Sequence, residues 1–519
     1  MYPRGRIDGT AGDRSGETRF QGSGRPYFFA MPSDHTTHLS KSRFVAGVQC
    51  HKLLWWKAHE PDAVELQPDK VLQDRFDQGR HVGEVARERF PDGVLIDRPY
   101  DDVAGRLAAT REALDAGAGT IFEATFEADG VRVAVDILQR TTEGFAMTEV
   151  KSASSQKVEH VYDAAVQVHV LRRNGLDVRH TAIMHLNKEH EYPDTNALFA
   201  RTEVSELVDA FAPNVPIEAA RQLRMLQGPL PDPEIGMHCY EPYACPFLKR
   251  CWPQSPEHII RLYNVGPTKA WAYMQRGINW MHDLPANEKL PATAQRQLRA
   301  MRENRLVVEP TLARDLEPFG GVLGFLDFET VSRAIPVWPG VKPWGPSTAQ
   351  FSYHESSGDA TYRHVGYLAE GPHDPRPELA ERMLVATRDA ERVVMYSSYE
   401  RRCIRDLQRA VPGLAADLRT LEHKLIDLLP VVRNNVYHPD FQGSFSIKYV
   451  LHPMVPDLTY NDLVIVDGLV ASVEIARLLF VAHKIPPAER DRLRVDLLAY
   501  CERDTWAMVR LLQRLRELA

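Results

Sequence analysis

Val322-Leu-Gly-Phe-Leu-Asp327-Phe-Glu329-Thr330 reads as a buried strand whose last residues carry two acids. Alternation along a strand puts Asp327 and Glu329 on one face. Two like charges at close range in a core resist joint ionisation, a conflict that a divalent cation resolves. Far downstream, Tyr500-Cys-Glu-Arg-Asp504 sets a tyrosine and an aspartate one helical turn apart, beside an apolar stripe of Leu497, Cys501, Met508, Leu512 and Leu515. Strand and helix predict an α/β domain over about 316–519.

Working back toward the N-terminus, a polar helical connector is expected over roughly 258–315, preceded by Pro-rich punctuation at 229–233 and 242–256. Before it lies a second acidic constellation. Thr120 to Glu127, a turn at Asp129-Gly130, and Val131 to Leu138 read as a hairpin, with Gly144 to Lys151 as a third strand. Asp136 ends the second strand, and Glu149-Val-Lys151 lies on the third, where period two points Glu149 and Lys151 the same way beside Phe145 and Met147. Two carboxylates offer a hard oxygen site for Mg²⁺ or Mn²⁺, and the lysine can steady water or the charge building on a phosphate. Helices are expected over about 39–60, 71–90 and 158–174, and an apolar segment over 180–186. Taken singly, each acidic motif also suits a solvated or purely structural setting.

Composition narrows the class. The 519 residues suffice for two to four domains with their own cores. With 44% apolar residues and no run near the roughly 18–20 needed to span a bilayer, a soluble, cytoplasmic protein without a membrane partner is expected. A net charge of −7 argues against a generic basic nucleic-acid coat but leaves room for a local groove. Residues 1–38, rich in Gly and Arg at their start, are expected to be a disordered tail, with Met31 as an alternative start. Six cysteines are too few for a secreted disulfide scaffold of this size. Cys403 and Cys501 fit helical cores, whereas Cys50 and the series Cys239-x5-Cys245-x5-Cys251 need another explanation. Four thiolates from two distant arms suit an iron-sulfur cluster or zinc, and the same residues can also be plain small hydrophobes.

The D…ExK pattern resembles the PD-(D/E)xK superfamily, and Gln167 in Tyr162-Asp-Ala-Ala-Val-Gln167 stands where the RecB and AddB branch carries a glutamine. In Gly79-Arg-His-Val-Gly83-Glu84, Gly83 falls where that branch has a histidine, leaving Glu84 or His81 as substitutes, with Glu84 favoured. One cysteine before the core and three after it resemble the iron-sulfur nucleases of the AddB type and the RecB-like nucleases of CRISPR adaptation. That resemblance implies a structural [4Fe-4S] cluster on Cys50, Cys239, Cys245 and Cys251. The second constellation resembles the DnaQ-like exonucleases of the DEDD group, in the branch marked by Tyr-x3-Asp. It implies an RNase H-like fold in which Asp327, Glu329 and Asp504 hold two metals and Tyr500 orients water. The middle motif has its counterpart in Val393-Val-Met-Tyr-Ser-Ser-Tyr-Glu400, with glutamate in place of aspartate.

Asp427 is a further ligand candidate or a brace for the sheet, and Lys448 is expected near a phosphate. Trp338 and Trp344 either stack on bases or pack their Pro-rich loop, packing being favoured. The order of modules resembles a bacterial family of fused nucleases whose C-terminal part carries the designation domain of unknown function. Expected from it is a multidomain α/β protein with a restriction-endonuclease-like α/β/α core over 39–257 and an RNase H-like domain. The expected activity is metal-dependent hydrolysis of nucleic acid, DNA favoured over RNA, with 3′→5′ trimming of single-stranded ends by the second half and a RecB-like nuclease in the first, which either cuts DNA or holds it while the second works. The competing expectations are a nucleic-acid-binding or assembly protein with decayed sites, and a zinc-stapled repair accessory factor.

Overall fold

The computed structural model describes residues 38–194, 197–357 and 361–519. The expected tail lies outside them except for His38, whose imidazole pairs with Glu127. The chain is a multidomain α/β protein built on two mixed sheets.

The first sheet contains β1 (Leu39–Ser40), β2 (Val94–Leu95), β3 (Thr120–Ala128), β4 (Val131–Thr141), β5 (Gly144–Lys151), β6 (Val178–Leu186) and β7 (Phe199–Glu203). Their order is β2-β3-β4-β5-β6-β7, with β1 on β4. The hairpin expected at Asp129-Gly130 forms with both residues at positive φ, 52° and 72°, the handedness a two-residue turn needs to match the twist of its strands. β4 pairs with β5 only from Ile137 onward, and β1 takes its edge at Val131 and Arg132. The two strands therefore fork at Asp136, whose Oδ2 accepts the Val150 N–H at 2.7 Å in place of a ladder bond.

Helix Val158–Arg173 covers one face of this sheet with an almost continuous buried run. The helix expected over 39–60 breaks in two at Cys50, whose extended backbone (φ −163°, ψ 123°) separates Lys41–Gln49 from His51–His59. Helix Val103–Asp115 was not anticipated. Its mixture of Ala, Gly and charged residues carries no clear apolar stripe, and it is fixed instead by buried Arg106 and Thr110, which bond β3 through Thr125.

The second sheet runs β11 (Tyr362–Leu368), β10 (Pro346–Ser356), β9 (Leu323–Ser332), β12 (Arg392–Met395), β13 (Leu425–Asp427). β9 is its centre, antiparallel to β10 and parallel to β12. The C-terminal helix Pro487–Leu518 packs over β9, β10 and β11 through Leu497, Cys501, Met508, Leu512 and Leu515. Residues expected in the connector reach into this core. Ala300 is buried in it, and β8 (Val307–Val308) pairs with β14 (Val436–Tyr437).

Helix Lys70–Arg87 lies between the two sheets. It ion-pairs Lys70 with Glu474, places Asp74 3.3 Å from Arg333, and gives Gln78 Oε1 to the buried Ala334 N–H at 2.6 Å. Trp344 donates its indole N–H to Ser152 O at 2.6 Å and joins Val82, Val150 and Leu186 in an apolar seam. Trp338 is buried against Phe480 and donates to Pro372 O. Both tryptophans pack. No helix among the described residues is long and apolar enough to cross a membrane.

Gln78→Ala leaves the Ala334 amide buried without an acceptor, so it is expected to destabilise the protein by about 1–3 kcal/mol. Denaturant unfolding of the full chain, followed separately by probes in each half, checks this, with the loss concentrated at the seam.

Candidate functional site

Midway along β9, Asp327 and Glu329 turn toward the C-terminal helix, where Asp504 meets them. One carboxylate oxygen from each lies within 4.8 Å of the others. Three acids so close and so buried push one another upward in pKa. Burial is the largest cause for Asp327 and Glu329, followed for both by the charge of Asp504. Asp504 also rises through burial, held back by hydrogen bonds from Tyr460 and Tyr500 and by the charge of Lys448. The set is hard, anionic and oxygen-only, which suits Mg²⁺ or Mn²⁺.

Glu400 lies at the start of helix Tyr399–Ala410, just beyond the end of β12. It is buried, hydrogen-bonds Asp327 and is pushed up to about 7, first by burial and then by Asp427. It stands beside the trio but outside its 4.8 Å group. Asp427 acts as a brace, its Oδ1 accepting the Leu429 N–H at 2.9 Å. Tyr500, buried on the C-terminal helix, receives a hydrogen bond from Lys448 Nζ at 2.9 Å, and Lys448 also donates to Val466 O at 2.7 Å. Tyr460, which donates to Asp504 Oδ1, carries no recognisable motif in the sequence. Cys501 is core as expected, but its thiol also faces Asp327 Oδ2 at 3.6 Å. Gly468 leaves open the space beside Glu329 and the Tyr500 hydroxyl, both within 3.7 Å of where a Cβ would stand. Next to Glu400, Lys448 and Gly468 in the chain, Tyr399, Tyr449 and Leu469 are exposed, as is Val466, whose carbonyl accepts from Lys448.

The first constellation assembles differently. Glu149 is buried, and both its oxygens are engaged. Lys41 at 2.7 Å and Lys151 at 2.8 Å hold Oε1, and Gln167 donates to Oε2 at 2.7 Å. Burial works against its charge, but the two ammoniums more than offset this and hold it below the usual range. Lys151 also pairs with Asp163. Asp136 is raised to about 7 by burial and then by Glu149. Glu84 lines the same cavity of about 360 Å³ as Asp136 and Glu123, yet its carboxylate is exposed and sits 3.4 Å from His81. Among the described residues, Asp136, Glu149 and Glu84 do not form a ligand group within 4.8 Å. Lys41 was missed because its helix falls over a hundred residues before Glu149 and only the fold joins them.

Cys50, Cys245 and Cys251 pack in one small cluster with Phe247 and Trp56, and Cys239 is buried nearby. All four are free thiols. They are close enough that Cys50, Cys239 and Cys251 add to the rise of Cys245 to about 11, whose main cause is burial. Among the described residues no three of their sulfurs gather within 4.8 Å.

A model of a domain of unknown function (DUF2779) matches residues 324–446, from β9 to just past β14. That span holds Asp327, Glu329 and Glu400 and stops short of Tyr500 and Asp504. No curated protein matches the chain.

Because the trio resists joint ionisation, Mg²⁺ or Mn²⁺ is expected to raise the melting temperature, by about 2.7 kcal/mol in stability at a hundredfold excess over Kd. Asp327→Asn is expected to stabilise the metal-free chain while abolishing that increment, as measured by differential scanning calorimetry with and without the cation.

Proposed function

We propose that this protein is a metal-dependent nuclease whose working centre is the acidic pocket of its C-terminal half, an RNase H-like domain of the DEDD kind. The substrate proposed is the single-stranded 3′ end of DNA. The observation that carries the reading is the convergence of Asp327, Glu329 and Asp504 with Tyr500 and Lys448 at its edge. These side chains come from opposite ends of one domain, and a purely structural role gives no reason to gather them.

Bound Mg²⁺ or Mn²⁺ would be held by Asp327, Glu329 and Asp504, with Glu400 in reserve, and would supply Lewis acidity toward the phosphate and an acidified water. The chain's own groups do the rest. Tyr500, fixed between Lys448 and Asp504, orients the water that attacks phosphorus as the bond to the 3′ oxygen breaks. Lys448 offsets the negative charge that builds on the phosphate. Tyr399 and Tyr449, exposed at the rim, provide faces on which unpaired bases stack.

The first half, read as a PD-(D/E)xK-like α/β/α core, is proposed to hold DNA while the second cuts it. The occupation of Glu149 by Lys41, Lys151 and Gln167 favours this binding role over a second cutting site. The four cysteines are proposed to carry a structural [4Fe-4S] cluster in the reducing cytoplasm. Zinc–sulfur bonds of roughly 2.3 Å would draw the sulfurs to about 3.8 Å apart. A cluster that gives each thiolate its own iron suits wider spacing.

End-labelled single-stranded DNA, duplex DNA and RNA, incubated anaerobically with Mg²⁺ or Mn²⁺, test the activity. Asp504→Ala is expected to lower cleavage by more than about 100-fold, beyond what loss of an outer partner costs, whereas Asp136→Ala weakens binding and leaves the single-turnover rate. An intact substrate under wild-type protein with either metal defeats the reading. Anaerobically purified protein is expected to absorb near roughly 400 nm and to lose that band in Cys245→Ser. Colourless, zinc-loaded protein would assign the thiols to zinc instead.

A further inference from the structure

Beside the acidic pocket, on the outer side of the same domain, a second and chemically different set of ligands comes together. His354 on β10, His364 on β11 and Glu502 on the C-terminal helix each offer one ligand atom, and the three atoms lie within 4.8 Å of one another. The imidazole rings are 4.6 Å apart, and His364 Nδ1 is 3.7 Å from Glu502 Oε1.

What distinguishes this group from a chance meeting of side chains is the hydrogen bonding behind it. His354 Nδ1 bonds Thr505 Oγ1 at 2.8 Å, and His364 Nε2 bonds Ser352 Oγ at 3.0 Å. Ser352 in turn bonds Thr505 at 2.8 Å, and Thr505 Oγ1 donates to Glu502 O. With the threonine proton committed to that carbonyl, Thr505 can only accept from His354 and Ser352, and Ser352 then accepts from His364. The protons are thereby fixed on His354 Nδ1 and His364 Nε2, leaving His354 Nε2 and His364 Nδ1 with their lone pairs. Ser352 and Thr505 are buried and take no part in the acidic trio. A backing of hydrogen bonds that sets tautomer and ring orientation is what ligating histidines require. The group opens on a cavity of about 450 Å³ lined by His354, Leu463, Ala499, Glu502, Arg503 and Trp506.

We infer that His354, His364 and Glu502 form a binding site for a divalent transition metal, zinc by preference, that staples the β10–β11 edge to the helix carrying Asp504 and Tyr500. Two imidazoles and a carboxylate select a borderline cation, whereas the oxygen-only trio selects Mg²⁺ or Mn²⁺. The site stands whether or not the acidic pocket hydrolyses nucleic acid.

Zinc titration of the full chain against a competing chelator, with Mg²⁺ in excess to occupy the acidic pocket, tests the assignment. The cysteines contribute equally to every variant and cancel in the differences. Wild type is expected to bind one more equivalent of zinc than His364→Ala, and Glu502→Gln, an exposed and isosteric change, is expected to weaken that equivalent at least about tenfold. Both variants are expected to melt like wild type once zinc is removed, whereas only wild type gains melting temperature on its return. Equal zinc stoichiometry and affinity in wild type and both variants overturns the site.

Discussion

Three carboxylates in a space under 5 Å across are the constraint on which the C-terminal half is organised. Left to themselves Asp327, Glu329 and Asp504 would drive the strand and the helix apart, since each raises the cost of ionising the others. The fold answers with contacts that cannot yield. β9 is held on both sides, by β10 and by β12, and the C-terminal helix is locked over it by a row of buried side chains. The residual strain is relieved locally by Tyr460, Tyr500 and Lys448, which lend protons or positive charge to Asp504. Acids kept together in this way without a full set of cationic partners are the physical basis of the proposed cation site.

The first half meets the same electrostatic problem with the opposite solution. Glu149 is as buried as any residue of the trio, but it is paired with two lysines and a glutamine and keeps its charge without outside help. Breaking such a pairing is costly because it strands a charge in the core. The contrast between a carboxylate set that lacks cations and one already supplied with them is the physical ground of the proposal that the two modules play different parts. The seam formed by helix Lys70–Arg87 brings both modules onto shared side chains.

Much of this was legible beforehand because its signals are local. Strand alternation located Asp327, Glu329, Glu149 and Lys151, the Asp-Gly pair located a hairpin, and helical spacing joined Tyr500 to Asp504. The break at Cys50 and the helix Val103–Asp115 escaped notice because neither is written in periodicity. The first is a single extended residue inside a helical run, and the second depends on buried hydrogen bonds to β3. Tyr460 and Lys41 were invisible as site residues for a related reason. A lone tyrosine in a loop or a lysine opening a helix has no pattern until the fold gives it a partner.

The sequence by itself determined which residue types were available, their spacing along strands and helices, and so the expectation of two acidic centres in an α/β chain. Only the tertiary structure decided which charges neutralise one another. It brought Lys41 to Glu149, left Glu84 beside His81 rather than in a ligand group with Asp136, and gathered His354, His364 and Glu502 from three elements. Electrostatic interaction falls off over a few ångströms in space, whereas position along the chain fixes distance only over a few residues. Whether a carboxylate is a ligand or a salt-bridge partner is therefore settled by packing.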